Sequence, residues 1–215
     1  MTKTRTTLAV LALVLWSGGM ATSRAATDLS PASWPKGEYE RFLAAQDVDH
    51  TEAGVATGQN GAVTVAYNGI AARAGLEALK QGGNAMDAAL TAAVTQVTVT
   101  GGAPISYFGL LSLVYYDAKT GTVTTMNAEW NTVRGETDPK TIPGSINMAS
   151  PEGLRGTAVS GRTALVGGFM KGVGAAHARY GRLPFARLFD TSIYIADHGM
   201  PVTRHLARSE EHTSE

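Results

Sequence analysis

The residues able to do acid–base, nucleophilic or metal chemistry are few in this chain and poorly placed for it. Five histidines stand at 50, 177, 198, 205 and 212 and show no ligand-like spacing. Cysteine is absent, which removes disulfides, thiol catalysis and thiolate metal sites. There is no G-x-S-x-G elbow, no H-E-x-x-H pair, no phosphate-binding loop and no dinucleotide fingerprint. Gly172-Val-Gly174-Ala-Ala-His177 begins like a glycine-rich cofactor turn, but it lacks the third glycine and opens no βαβ unit. It reads as close helix packing, with His177 a packing or surface residue. Glu210-Glu211-His212 is a polar cluster only if the last eight residues are the protein's own. Taken alone, the residues yield an α+β or α/β domain without a self-sufficient catalytic constellation.

The bulk properties narrow the setting. Lys plus Arg and Asp plus Glu number 18 each among 215 residues, so no charge excess favours nucleic acid or an anionic membrane. A hydrophobic content of 44% is that of a globular chain. The front is a secretory leader: basic Lys3 and Arg5, an apolar run from Leu8 to Trp16, then small residues at Ser23 and Ala25. The run is too short to span a bilayer as a helix. Residues 1–25 are therefore expected to be a signal peptide, and the mature protein to be periplasmic or secreted, with no membrane attachment after its removal.

The elements that must position any site follow from pattern. Residues 26–60 read as an extended lead-in with one short helix at 38–46. Gly61–Tyr67 alternates like a strand. Ala71–Gln81 predicts a helix with Ala72, Leu76 and Leu79 on its apolar stripe and Arg73, Glu77 and Lys80 opposite, stopping at Gly82-Gly83. Asn84 caps a buried helix over 85–94, with Asp87 favourable in its first turn. Residues 95–100 are ambiguous between helix and strand. Leu110–Tyr116, the turn 117–121 and Thr122–Asn127 form a hairpin. Residues 128–163 are loop-like, a length that often surrounds a site. A further strand is expected at 164–169 and a helix at 170–180 closed by Gly181. Pro184 opens a last helix whose stripe is Phe185, Leu188, Phe189, Ile193 and Ala196.

Four segments carry a resemblance. Leu76-Glu-Ala-Leu-Lys-Gln-Gly-Gly-Asn-Ala-Met-Asp-Ala-Ala89, then Leu113–Val123, then Val173–Phe189 with its Tyr-Gly-Arg-Leu-Pro-Phe core, then Ile195–Val202, resemble the γ-glutamyltransferase family in that order. The resemblance runs from about residue 61 to 202. It implies part of the αββα sandwich of the N-terminal-nucleophile hydrolases, incomplete in this chain, which matches the front of the family's large subunit. It also implies an autocleaved precursor, a Thr nucleophile at the start of the small subunit, a small-molecule amide as substrate and no cofactor or metal. The small subunit of the same polypeptide is the implied partner. No Thr here matches the nucleophile, so no catalytic residue is assigned within the chain. The alternative is a non-catalytic periplasmic binding or interaction protein that keeps part of the fold.

Two departures bear on specificity. The family's Arg for the substrate α-carboxylate lies in an Asp-Gly-Arg-Glu-Thr-Ala-Pro stretch after the second hairpin strand; here that stretch is Asn127-Ala-Glu-Trp-Asn-Thr132, with Glu129 in the Arg position. Asn127, Glu129 and Arg134 are the substrate-binding candidates: Arg134 reaching back to replace the cation, or Glu129 selecting a cationic or neutral acyl group, while Glu129 as a plain solvated charge would mean a degenerate site. The Gly-rich loop before the first strand is altered to Ser106-Tyr-Phe-Gly109, which is expected to narrow the pocket. The terminal Arg208–Glu215 resembles an in-frame sequencing-adapter read, so the natural chain is expected to continue past Ala207.

Overall fold

The computed structural model describes residues 26–47, 57–66, 68–101, 105–138, 161–204 and 206–207. Residues 1–25, expected to be a leader, the stretch 139–160 and the octapeptide 208–215 lie outside these. Helix α1 spans Glu38–Ala44, α2 Gly69–Lys80 and α3 Ala85–Val99; strands β1 Leu111–Asp117 and β2 Thr122–Ala128 follow; α4 is Phe169–Tyr180 and α5 Asp190–His198.

α3 is the central element. Asn84 opens it by accepting from the Met86 and Asp87 amides at 3.0 and 3.1 Å, and the Asp87 carboxylate accepts from the Asn84 amide at 2.9 Å, a complete capping box. The ambiguous stretch 95–99 is helix. Burial of Thr95, Val97 and Val99 supplies packing that outweighs the modest helix penalty of β-branched residues. α2 lies alongside α3 after the link 81–84, which turns at Gly82 with φ 89°. The two approach tightly at Gly75, where a Cβ would meet the Ala88 carbonyl oxygen at 2.7 Å.

The face of α2 differs from expectation. Leu76 and Leu79 are only partly buried, whereas Arg73 and Glu77 are 4% and 7% exposed. The cause is a packing partner that periodicity does not reveal: the lead-in folds back over this face. Arg73 pairs with Glu38 of α1 at 2.8 Å and with Glu77 at 2.8 Å, and its guanidinium stacks 4.6 Å from the centre of the Trp34 ring. Gln81 bonds Glu77 at 2.9 Å and holds the Asp28 backbone by its amide and carbonyl groups. Leu29 is fully buried; its amide donates to Asp190 at 3.1 Å and its carbonyl accepts from the Thr191 hydroxyl at 2.7 Å. Residues 26–47 are thus a strap laid across α2 and α5.

The hairpin forms as expected, to within a residue at each end. Its antiparallel register pairs Ser112 with Asn127, Val114 with Thr125 and Tyr116 with Val123. Directly paired residues share a face. Leu111, Leu113, Tyr115 and Met126 pack inward on a core of Leu90, Val94, Phe169 and Val173. α4 lies on this layer at Gly172, where a Cβ would come within 2.7 Å of the Ala128 methyl; the expected close packing of Gly172 is borne out. The opposite face, with Val114, Tyr116 and Val123, is exposed.

Three other expectations fail. Residues 61–66 form no strand: no described strand lies beside them to accept their hydrogen bonds, and Val63 packs instead with Ala78 and Ala88. At 164–169 only Val166 pairs, in a single bridge to Asn131. After Pro184 the chain runs as a 3₁₀ helix over Phe185–Phe189 before α5 begins. That change of pitch shifts the helical phase, so Leu188, Thr191 and Ile195 are buried while Phe185, Ile193 and Ala196 are exposed.

Candidate functional site

β2 ends at Ala128, and the backbone then turns sharply. The Asn127 carboxamide oxygen accepts the Glu129 amide hydrogen at 2.9 Å, a side-chain turn of the kind Asn favours. Glu129 is exposed, and its carboxylate accepts from the Ser112 hydroxyl of β1 at 3.0 Å. Ser112 is the register partner of Asn127, so Asn127, Glu129 and Ser112 form one polar group at the end of the hairpin's open face. Ser112 was not among the candidates. Its polarity at an outward position of an otherwise apolar strand was the available signal.

Arg134 is not brought to this group. It sits on a turn closed by the Glu136 amide to the Val133 carbonyl at 3.2 Å, its side chain is exposed, and it makes no ion pair among the described residues.

The loop that follows is stapled at its base. Asn131 and Val166 exchange backbone bonds at 3.0 and 2.8 Å. Further along, Arg162 donates to both Glu136 oxygens at 2.8 and 2.9 Å. This fork, helped by the Asp138 amide, pulls the Glu136 carboxyl down to about 2. A group whose folded pKa lies below its unfolded value, about 4.3 for Glu, stabilises the fold above that value and loses the contribution as pH falls toward 2. Arg162→Gln is therefore expected to return the Glu136 titration toward the ordinary carboxylate range, read by carbon-detected NMR of the side chain. An unchanged titration would mean that the pair does not form in solution.

The altered loop before β1 does only part of what the sequence implied. Tyr107 turns inward, its hydroxyl donating to the Val94 carbonyl at 2.9 Å and lying 2.7 Å from the Thr98 hydroxyl. Phe108 alone remains outside, exposed beside Trp130. These two border a cleft of about 520 Å³ floored by α3.

The deepest polar junction lies elsewhere. Asp87 is fully buried and accepts from the amides of Arg182 at 3.0 Å and Leu183 at 3.2 Å besides that of Asn84. Asn84 also donates to the Tyr180 carbonyl at 2.6 Å. His177 Nε2 lies 2.8 Å from the Leu183 carbonyl. A carbonyl can only accept, so this nitrogen carries its hydrogen and is not free to act as a base. The Gly-Gly-Asn-Ala-Met-Asp and Tyr-Gly-Arg-Leu-Pro-Phe segments, distant in sequence, are thus two halves of one joint. That joint holds α3 to the turn after α4. Its role is structural.

Helices covering one face of a hairpin whose other face is open make part of a layered, incomplete α+β fold. The sequence profile of gamma-glutamyltranspeptidase matches residues 71–215, and the chain belongs to that family. It is similar in structure to the gamma-glutamyltranspeptidase of Pseudomonas nitroreducens complexed with L-DON, at 26% identity and TM-score 0.57, over 73% of this chain and 44% of that one. The Helicobacter pylori gamma-glutamyltranspeptidase matches at 20% identity and TM-score 0.57, over 74% of this chain and 44% of its own. The Bacillus anthracis transpeptidase CapD matches at 22% and 0.52, over 70% and 44%. The chain thus spans under half the length of these solved relatives.

Proposed function

We propose that this chain is the front of the large subunit of an exported acyltransferase or amidohydrolase of the gamma-glutamyltranspeptidase type, acting on small-molecule amides. The nucleophile is a Thr hydroxyl at the start of a small subunit, encoded downstream and released by autocleavage. Its oxygen adds to the amide carbonyl carbon, the C–N bond breaks, and the amine leaves with a proton. Water or a second amine then displaces the Thr oxygen from the ester. The large subunit positions the acyl portion, and no cofactor enters. The leader 1–25 directs export. Family membership over residues 71–215 carries this reading.

Glu129, fixed by Ser112, puts negative charge where the family's Arg would receive a carboxylate. Two carboxylates in a partly desolvated pocket repel, so acyl groups without a free α-carboxylate are favoured. In the full-length gene product, Glu129→Arg is expected to raise kcat/KM on γ-glutamyl anilide about tenfold or more relative to a neutral acyl anilide. An unchanged ratio would remove Glu129 from the site. Absence of turnover on every amide tried would leave a non-catalytic binding protein.

A further inference from the structure

The Gln96 side chain is a feature of α3 that packing does not explain. It is 8% exposed, and neither its carboxamide oxygen nor its nitrogen has a hydrogen-bond partner. Among the described residues it is the only buried carboxamide with both its oxygen and its nitrogen unpaired; the Thr91 and Thr95 hydroxyls of α3 are also buried without partners, but neither lines the cleft beside Trp130. A buried amide without partners costs free energy that an apolar residue of similar shape would not. Gln96 lies in the floor of the cleft of about 520 Å³ whose other walls include Ile105, Phe108, Leu110, Trp130 and Phe169. Trp130 follows Glu129 directly in the chain, although Glu129 itself does not line the cleft. It also borders a second cleft, of about 580 Å³, under residues 60–66.

We infer that the cleft between α3 and Trp130 is the acyl pocket, and that it takes an apolar or aromatic acyl group whose amide pairs with Gln96. This deepens the amide-acyltransferase reading and rests on it. A carboxamide offers an NH2 group that donates and a carbonyl oxygen that accepts, and an amide ligand presents the complement of both. The aromatic and aliphatic walls match an uncharged acyl body, and the volume suits a ring with a short linker. The apolar walls add a desolvation penalty for a ligand carboxylate.

The test is direct binding to the full-length gene product, by calorimetry, with phenylacetamide as probe and phenylacetate and glutamine as comparisons. Phenylacetamide is expected to bind and the two carboxylate-bearing probes to bind at least about tenfold more weakly. Gln96→Met is expected to weaken phenylacetamide about tenfold while leaving Tm unchanged or raised, because the free protein loses an unpaired amide. A purely structural Gln96 would give the opposite pair, a lower Tm with binding intact, and would overturn the inference. Trp130→Ala weakens binding only if the ligand sits in this cleft; unaltered affinity would place it under residues 60–66 and also overturn the inference. Amide turnover without probe binding would sink the pocket and keep the enzyme reading. Binding without turnover on any amide would do the reverse.

Discussion

Asp87→Ala is expected to cost about 3–5 kcal/mol of stability. The substitution removes the acceptor of three backbone amides, those of Asn84, Arg182 and Leu183, at a position with no solvent exposure. Each buried N–H left without a partner costs about 1–3 kcal/mol. The α3 N-terminus also loses the anion that its dipole favours. Asp87→Asn keeps one oxygen as acceptor and should lose about half as much. Urea unfolding of the two variants beside the parent measures this. A loss below about 1 kcal/mol for Ala would mean that water replaces the carboxylate and that the joint is looser than drawn here.

Arg73→Met is the other large effect, also about 3–5 kcal/mol at neutral pH. It strips the cation from between Glu38 and Glu77 and the guanidinium from Trp34. The pH dependence gives a second signature. Hydrogen bonding to Arg73, against the opposing pull of burial, holds the Glu38 carboxyl below its ordinary value. Its contribution is therefore complete above about pH 4.3 and is lost as pH falls below that. In Arg73→Met the stranded Glu38 carboxylate is relieved by protonation, so the deficit should shrink as pH falls through the ordinary carboxylate range. Glu38→Gln and Glu77→Gln added to Arg73→Met should recover much of the loss, since the charges then vanish together. A deficit that stays constant with pH would assign the effect to lost packing on Trp34.

The hairpin, the Asn84 cap and the helices were legible because each depends on neighbours within a few residues: alternation over 111–128, a cap side chain reaching two and three residues on, a glycine after the last turn. What was not legible depends on partners far along the chain. Arg73 and Glu77 read as a solvated face until the strap arrives from residues 28–38. Residues 61–66 read as a strand because alternation is local, but a strand also needs a neighbour. The phase of α5 was lost to a change of helical pitch that composition does not signal. At the site, the resemblance placed Glu129 at the end of the second strand. Ser112 and Gln96 were missed because the significance of each lies in what faces it across the fold.

The strap has a consequence for the order in which the protein acquires its structure. Leu29 is held by Asp190 and Thr191, 161 and 162 positions later. A chain that emerges N-terminus first at about 5–20 residues per second presents Leu29 roughly 8–30 seconds before its anchors exist. Through that interval Leu29 lacks these anchors, and Trp34 and Tyr39 lack Ile195, one of their core companions. Closing so long a loop contributes late and slows the final step. Docking of the strap is thus a completion event, and the waiting apolar N-terminal segment is the natural point for a holding chaperone to act.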